Sequence, residues 1–479
     1  MATTRIQVLS VIIAVGLLVS ATLVLYGQQA PVTAPASIDK LMRQLHERGQ
    51  FNGAVLVAQR GRIVYRGSFG VSDQSSGRAF TLDTPSYLAS VSKPLTALAI
   101  MKLAEKRRLG YDDHIGRYVP ELADALGSAT VRQLLNHTSG IPDYGNLNVE
   151  HPGMTNAEVL NALRSLDKPR FSPGEKYEYS NSGYVLLGLI VERVSGQPLS
   201  AYLQNQVFTP LGMKASFVLT GAGQKTREVA RGYNAFGNPD DYNQYVTGDG
   251  GSYSTVDDLF AFDQALYTEK LVTRKTLEEA FTPGRVREGT TTYGFGWNVN
   301  SDASGKRVWH TGNTAGFRAF IERRLDDKIT VIMLTNGGDS KRIQINEAIQ
   351  HILAGQPYTL PKRSIAVVLH RVVLKSGVDA AIATYEMAKA TQADEYDLDE
   401  GEINTLGYQL LYGDRKREDA ARIFLLNTID HPASSNAFDS LAEAYEVMGD
   451  KVSARNYYGV ALQRDPQNLH AMRRLEKLQ

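Results

Sequence analysis

The sequence predicts an α+β body followed by an all-α repeat domain, and three observations carry that expectation. Apolar, β-branched runs stand near both ends of residues 37–353. Helix-period segments and Gly/Pro/Asn-rich loops fill the space between them. Past Pro357 and Pro361 the strand signals stop, and Gly377, Gly413 and Gly449 recur at a fixed interval of 36 residues, each between two helical patterns.

In chain order, residues 1–36 come first, with one charge, Arg5, and an apolar run over residues 8–26. A run of that length suffices to span a bilayer as a helix and is long for a signal-peptide core. Residues 1–36 are therefore expected to be a signal peptide or an N-terminal membrane anchor, the length favouring the anchor. The rest of the chain is then exported, to the periplasmic or extracellular face. Residues 54–58 and 62–66 flank the short Arg60-Gly61 connection, a hairpin signature. Residues 319–321 and 329–334 enclose a polar Leu325-Asp326-Asp327-Lys328 and form a second strand pair. Between the pairs, residues 95–103 and 185–194 carry helical patterns, and residues 140–145 and 248–252 are loops. Residues 354–363 are a linker. Within residues 364–479, Phe438, Leu441, Ala442, Tyr445, Gly449, Ala454, Tyr458 and Ala461 resemble the tetratricopeptide pattern of small and large residues at interlocking helix positions. A plain helical bundle is the alternative.

Composition excludes several function classes. Hydrophobic residues make up 43% of the chain, enough for a large core. Lys plus Arg total 52 against 51 Asp plus Glu, with no long basic block, so a nucleic-acid partner is not expected. The absence of Cys excludes disulfides, thiolate nucleophiles, Fe–S clusters and Cys-ligated zinc. The nine His show no metal spacing, and Gly248-Asp249-Gly250-Gly251 lacks the Lys of a phosphate-binding loop. Neither metal nor cofactor is expected.

With thiols excluded, Ser is the leading candidate nucleophile, and Ser needs a proton partner. The S-x-x-K spacing places Lys one helical turn from Ser. It occurs at Ser37/Lys40, Ser90/Lys93 and Ser165/Lys168. Only Lys93 is embedded among apolar residues (Leu88, Ala89, Val91, Leu95, Ala97, Leu98), so only Lys93 is expected to be buried. Pro94 is tolerated near a helix start, which puts Ser90 at a helix N-terminus with its backbone amide free to stabilise an oxyanion.

Further motifs follow in order: Tyr179-Ser180-Asn181 and His310-Thr311-Gly312. With Ser90-Val91-Ser92-Lys93 they make the chain resemble, over about residues 38–353, the serine hydrolases of the class C β-lactamase and penicillin-binding-protein group, which carry S-x-x-K, Y-x-N and K-T-G or a variant. Leu134-Leu135-Asn136-His137-Thr138-Ser139-Gly140, Phe171-Ser172-Pro173-Gly174 and Tyr293-Gly294-Phe295-Gly296-Trp297 add to the resemblance. It implies a β-lactamase/transpeptidase-like fold: an antiparallel sheet built from both ends of the segment, flanked by helices, with a helical subdomain inserted. It implies Ser90 as nucleophile, Lys93 as its proton partner and Tyr179 as general base. Asn181 would hold the substrate's carbonyl or amide. The backbone amides of Ser90 and Asn313 would form the oxyanion hole beside His310, Thr311 and Gly312. Tyr is a poor base at its ordinary pKa of about 10, so Lys93 and a protonated His310 are expected near Tyr179. A second Y-x-N, Tyr144-Gly145-Asn146, is set aside because Phe171-Ser172-Pro173-Gly174 frames the other.

His310 stands where true β-lactamases carry Lys. A His is mostly neutral at pH 7, so recognition of a substrate carboxylate is expected to weaken. Arg318 is read as a solvated surface residue, and His137 as bonding within its own loop. The expected function is a serine acyl-hydrolase acting through a Ser90 acyl-enzyme, on D-amino-acid-containing peptides or esters ahead of β-lactams. The alternatives are a class C-like β-lactamase, or a catalytically idle penicillin-binding-like protein that binds a partner through its repeats. Expected partners are a small acyl or peptide substrate, the membrane through the N-terminal segment, and a protein or peptide on the C-terminal repeats.

Overall fold

Apolar runs far apart in sequence pair with each other to make the central sheet. The computed structural model describes residues 33–122, 124–221, 228–302, 305–314, 316–338 and 340–478; the apolar run at residues 8–26 lies outside them. Six strands, β1 (Gly53–Gln59), β2 (Arg62–Phe69), β3 (Asn298–Asp302), β4 (Gly305–Thr314), β5 (Phe317–Arg324) and β6 (Ile329–Thr335), lie in the order β2-β1-β6-β5-β4-β3. Every neighbouring pair is antiparallel. Both expected strand pairs form, and β1 joins them by pairing with β6, Gly53 opposite Thr335 and Gln59 opposite Ile329. Sequence reading missed β3 and β4, which are too polar to register as apolar runs.

The sheet is covered on both faces, which is why the middle of β1 (residues 54–58) and of β6 (residues 331–334) is apolar without alternation. Ala54, Leu56 and Ala58 of β1 and Ile332 and Leu334 of β6 face the larger core, while Val55, Val57, Val331 and Met333 face the other side. That second side is closed by α1 (Ala34–Glu47) and α5 (Arg342–Leu353). The larger core contains α2 (Lys93–Glu105), buried nearly all round, and α3 (Asn181–Ser195), which starts at the Ser180 N-cap, whose hydroxyl accepts from the Gly183 N–H. Among the described residues no helix is long and apolar enough to cross a membrane.

From Ile365 onward the chain is nearly all helix. Ile365–Ser376 pairs with Val378–Thr391, Glu400–Tyr408 with Arg417–Asp430, and Ser435–Met448 with Lys451–Arg464, followed by Leu469–Leu478. Gly377 and Gly449 sit at the turns of the first and third pairs. In the second pair a wider helical turn, Gln409–Gly413, prolongs the first helix before the connection. These helices and the segments leading into them dock on the α+β body. Lys341 is hydrogen-bonded to Asp397 and lies 3.9 Å from Glu402. The rings of Phe236 and His370 are 4.7 Å apart, and the Gln50 amide donates to the carbonyls of Pro361 and Lys362.

One buried ion pair fastens α4 (Val256–Ala265) to the sheet. Arg323 Nε donates to Asp263 Oδ1 at 2.5 Å with both side chains fully buried, and Thr330 donates to Asp263 Oδ2 at 2.8 Å. Removing one partner leaves an uncompensated charge in the core, so Asp263→Ala is expected to cost about 3–5 kcal/mol in urea unfolding. The double substitution Asp263→Leu/Arg323→Met is expected to recover much of that loss, because it removes both charges and keeps the volume.

Candidate active site

Lys93 is fully buried, and a buried ammonium must spend its three N–H donors. It does so on Ser90 Oγ at 2.9 Å, Asn181 Oδ1 at 2.8 Å and the Asp249 carbonyl at 3.0 Å. Three distant segments thus converge on one cation. Ser90 lies in a tight helical turn, Ala89–Ser92, that runs directly into α2. Ala89 just before it has φ +47°, a strained value for a residue with a side chain. Ser37 lies in α1, and Ser165 bonds only to the Ala162 carbonyl, so neither of the other S-x-x-K matches builds a site.

Tyr179 Oη is 3.1 Å from Ser90 Oγ, and the Lys93 ammonium lies 5.0 Å from the Tyr179 ring centroid. Asn181 begins α3. Because its Oδ1 faces the ammonium, its NH₂ remains to donate to a substrate carbonyl. The Asn181 backbone N–H donates to Asp143 Oδ2 at 2.5 Å. His137, at φ +58°, does more than bond its own loop. Its Nδ1 accepts from the Ser180 N–H at 3.1 Å, and its ring packs 4.2 Å from that of Tyr179, so it positions the general-base candidate. Burial, then the neighbouring Lys93 and His310, hold His137 well below the usual imidazole range.

His310 is not the cation expected near Tyr179. It is 2% exposed, and burial, with Lys93 second, pushes it down to about 3. Its Nδ1–H donates to the Thr311 carbonyl at 2.7 Å, so its Nε2 accepts from Tyr293 Oη, also at 2.7 Å. Tyr293 in turn packs against His137 at 4.5 Å and Tyr179 at 6.2 Å. His310 is thus a neutral anchor behind the Tyr179 ring.

The third motif meets the Ser90 turn through its backbone. β3 stops pairing with β4 at Trp309, so residues 310–314 present an unpaired edge, and the nucleophile turn packs there. Any Cβ at Gly312 would overlap the Leu88 carbonyl oxygen, so only glycine lets the strand approach Ser90 this closely. At Gly296, with φ +80°, a Cβ would come within 3.0 Å of the Lys93 carbonyl oxygen, Pro94 and Ala97, so glycine likewise lets that loop lie against the start of α2. Ser90 and Asn313 both line a cavity of ≈ 500 Å³, with Asn181, Tyr144, Asp249 and Thr314; His310, Thr311 and Gly312 lie outside its lining. Tyr144, of the competing Y-x-N, donates to the buried carboxylate of Asp249 at 2.9 Å and does not touch Ser90. Arg318 is half-buried rather than solvated, its guanidinium donating to the Phe317 carbonyl at 2.8 Å. Sequence reading missed Arg342, which donates to Asn313 Oδ1 at 2.6 Å and is pushed down to about 9 by burial and by Arg318. Among the described residues no group of three His, Asp or Glu could hold a metal ion.

Since the folded value of His310 lies below the usual 6.5, its ring resonances are expected not to titrate between pH 8 and 5. The unfolded chain takes up that proton first. The contribution to stability is therefore present above about pH 6.5 and lost as the pH falls toward 3. Between pH 7 and 5 the wild-type chain is expected to lose more stability in urea than His310→Gln does.

Comparison with known proteins agrees with this geometry. Residues 38–355 match the family model described as Beta-lactamase. The chain is 36% identical over 352 residues to penicillin-binding protein 4* of Bacillus subtilis (strain 168), covering 68% of this chain and 77% of that protein. It is 28% identical to esterase EstB of Burkholderia gladioli, covering 63% of this chain and 90% of that one. Among solved structures, the octameric penicillin-binding protein homologue from Pyrococcus abyssi superposes with a TM-score of 0.61 at 28% identity, covering 71% of this chain and 81% of that one. Fold, motif geometry and these likenesses agree: the chain belongs to the β-lactamase family of serine hydrolases.

Proposed function

We propose that the chain is a serine acyl-hydrolase that works through a Ser90 acyl-enzyme, on D-amino-acid-containing peptides or esters in preference to β-lactams. The observation that carries this reading is the triangle in which Ser90 Oγ meets Lys93 Nζ at 2.9 Å and Tyr179 Oη at 3.1 Å. With Tyr179 as phenolate, the Ser90 proton passes to its oxygen while Oγ bonds to the acyl carbon, and the Lys93 ammonium offsets the phenolate charge. The oxyanion lies against the backbone amides of Ser90 and Asn313, and the Asn181 NH₂ holds a second substrate carbonyl. Tyr179 then delivers the proton to the departing amine or alkoxide. Water reverses the sequence: Tyr179 takes its proton, the hydroxide oxygen bonds to the acyl carbon, and Ser90 Oγ leaves with the proton returned.

The preference against β-lactams rests on the third motif. With His310 neutral and turned toward Tyr293, position 310 of β4 offers no ammonium to a β-lactam carboxylate. The apolar run at residues 8–26 supports export or tethering at the periplasmic or extracellular face. The helix pairs after Ile365 and their glycine spacing support a tetratricopeptide-like array able to take a protein or peptide partner.

Ser90→Ala is expected to abolish both fluorophosphonate labelling and hydrolysis of a fluorogenic ester, with the fold intact by circular dichroism. Lys93→Ala and Tyr179→Phe should each lower kcat by about 100-fold or more. Full activity in Ser90→Ala would refute the assignment.

A further inference from the structure

The cavity beside Ser90 is lined by five carboxylates, Asp143, Glu150, Asp240, Asp241 and Asp249, and among the described residues by no Lys, Arg or His. Three of the five have firm partners. Asp143 accepts from the backbone N–H groups of Gly145 and Asn181, and Asp241 pairs with Arg231 at 2.9 Å. Asp249 is only 6% exposed. Its Oδ2 accepts from Tyr144, and its Oδ1 has no hydrogen-bond partner. Asp249 lines the cavity, and a carboxylate oxygen buried and unpaired behind that lining is costly until something donates to it. The carboxylates do not gather into a metal-ligating group, so the donor that suits them is an organic ammonium.

The position of Tyr179 says which part of the substrate lies there. A group that protonates the leaving atom must stand beside it, so the leaving group departs on the Tyr179 side. Ser90, Asn181 and Asn313 line the acidic cavity and Tyr179 does not. The cavity therefore takes the acyl side.

Resting on the acyl-enzyme reading above, we infer that this cavity receives a protonated amine carried on the acyl part of the substrate. The chain then selects acyl groups with a free amino group, such as an N-terminal aminoacyl residue, over acyl groups that end in a carboxylate. Burial raises the Asp249 and Asp240 carboxyls, with Lys93 opposing it at the first and Arg318 at the second; a bound ammonium favours the ionised form of both.

The test uses the full chain at about pH 6.5, where an α-amine is protonated, with the benzyl esters of D-alanine, N-acetyl-D-alanine and N-succinyl-D-alanine. The free amine is expected to exceed the acetylated ester in kcat/KM by about tenfold or more, equivalent to about 1.4 kcal/mol, with the succinylated ester slowest. Raising the salt to about 0.5 M should shrink the spread, because part of it is screened Coulomb attraction. Glu150→Gln/Asp240→Asn should lower the ratio of free to acetylated rates. Equal rates, the reverse order, or a Ser90-labelled protein that turns over none of the three esters would overturn the inference while leaving the nucleophile in place. Failure of Ser90 to take a fluorophosphonate label in the same preparation overturns the hydrolase reading itself, and the inference with it.

Discussion

The structure of the site depends on one buried cation. Lys93 has no water to solvate it, so the fold must bring three acceptors to its ammonium, and each acceptor belongs to a different part of the chain. Ser90 is held by the turn before α2, Asn181 by the start of α3, and the Asp249 carbonyl by the loop before residues 252–254. Satisfying the ammonium is therefore the same act as assembling the site. Losing any one acceptor leaves a donor unpaired in the interior, which makes this a site of high rigidity.

The sheet supplies the second constraint. Because β1 pairs with β6, the two ends of the hydrolase segment close on each other, and β5 and β4 are stacked outward from that seam. The edge of β4 beyond Trp309 is thereby set against the nucleophile turn, where Gly312 permits contact. Behind Tyr179, His137, Tyr293 and His310 form a neutral packed layer. Imidazoles there work as shaped polar spacers, since protonating either would put a second charge beside Lys93.

Local patterns were readable wherever one segment carried its own signal. The Arg60-Gly61 hairpin, the α2 and α3 helices, the turn glycines Gly377 and Gly449, and the choice of Ser90 among three S-x-x-K matches all follow from neighbouring residues. β4 escaped because its buried face is Val308, His310 and Gly312, an alternation in which two of three members are not apolar. The burial of His310 escaped because Tyr293 and Lys93, which lie against it and hold it neutral well below pH 7, come from remote segments. Arg342 and the acidic cavity were equally out of reach: Asp143, Glu150, Asp240 and Asp249 meet only after folding. The Tyr144-Gly145-Asn146 match was a signal of proximity to the site, though its tyrosine serves Asp249 instead of Ser90.

The most direct test of the Lys93-centred site is a crystal structure of the protein phosphonylated on Ser90, since a phosphonate copies the tetrahedral intermediate. The expected result has the phosphonyl oxygen within about 2.7–3.1 Å of the backbone nitrogens of Ser90 and Asn313. Lys93 would still be bonded to Asn181 and the Asp249 carbonyl, and Tyr179 would stand on the leaving-group side. A phosphonyl oxygen turned away from both nitrogens, or a Lys93 displaced from Asn181 and Asp249 in a fully labelled protein, would contradict it.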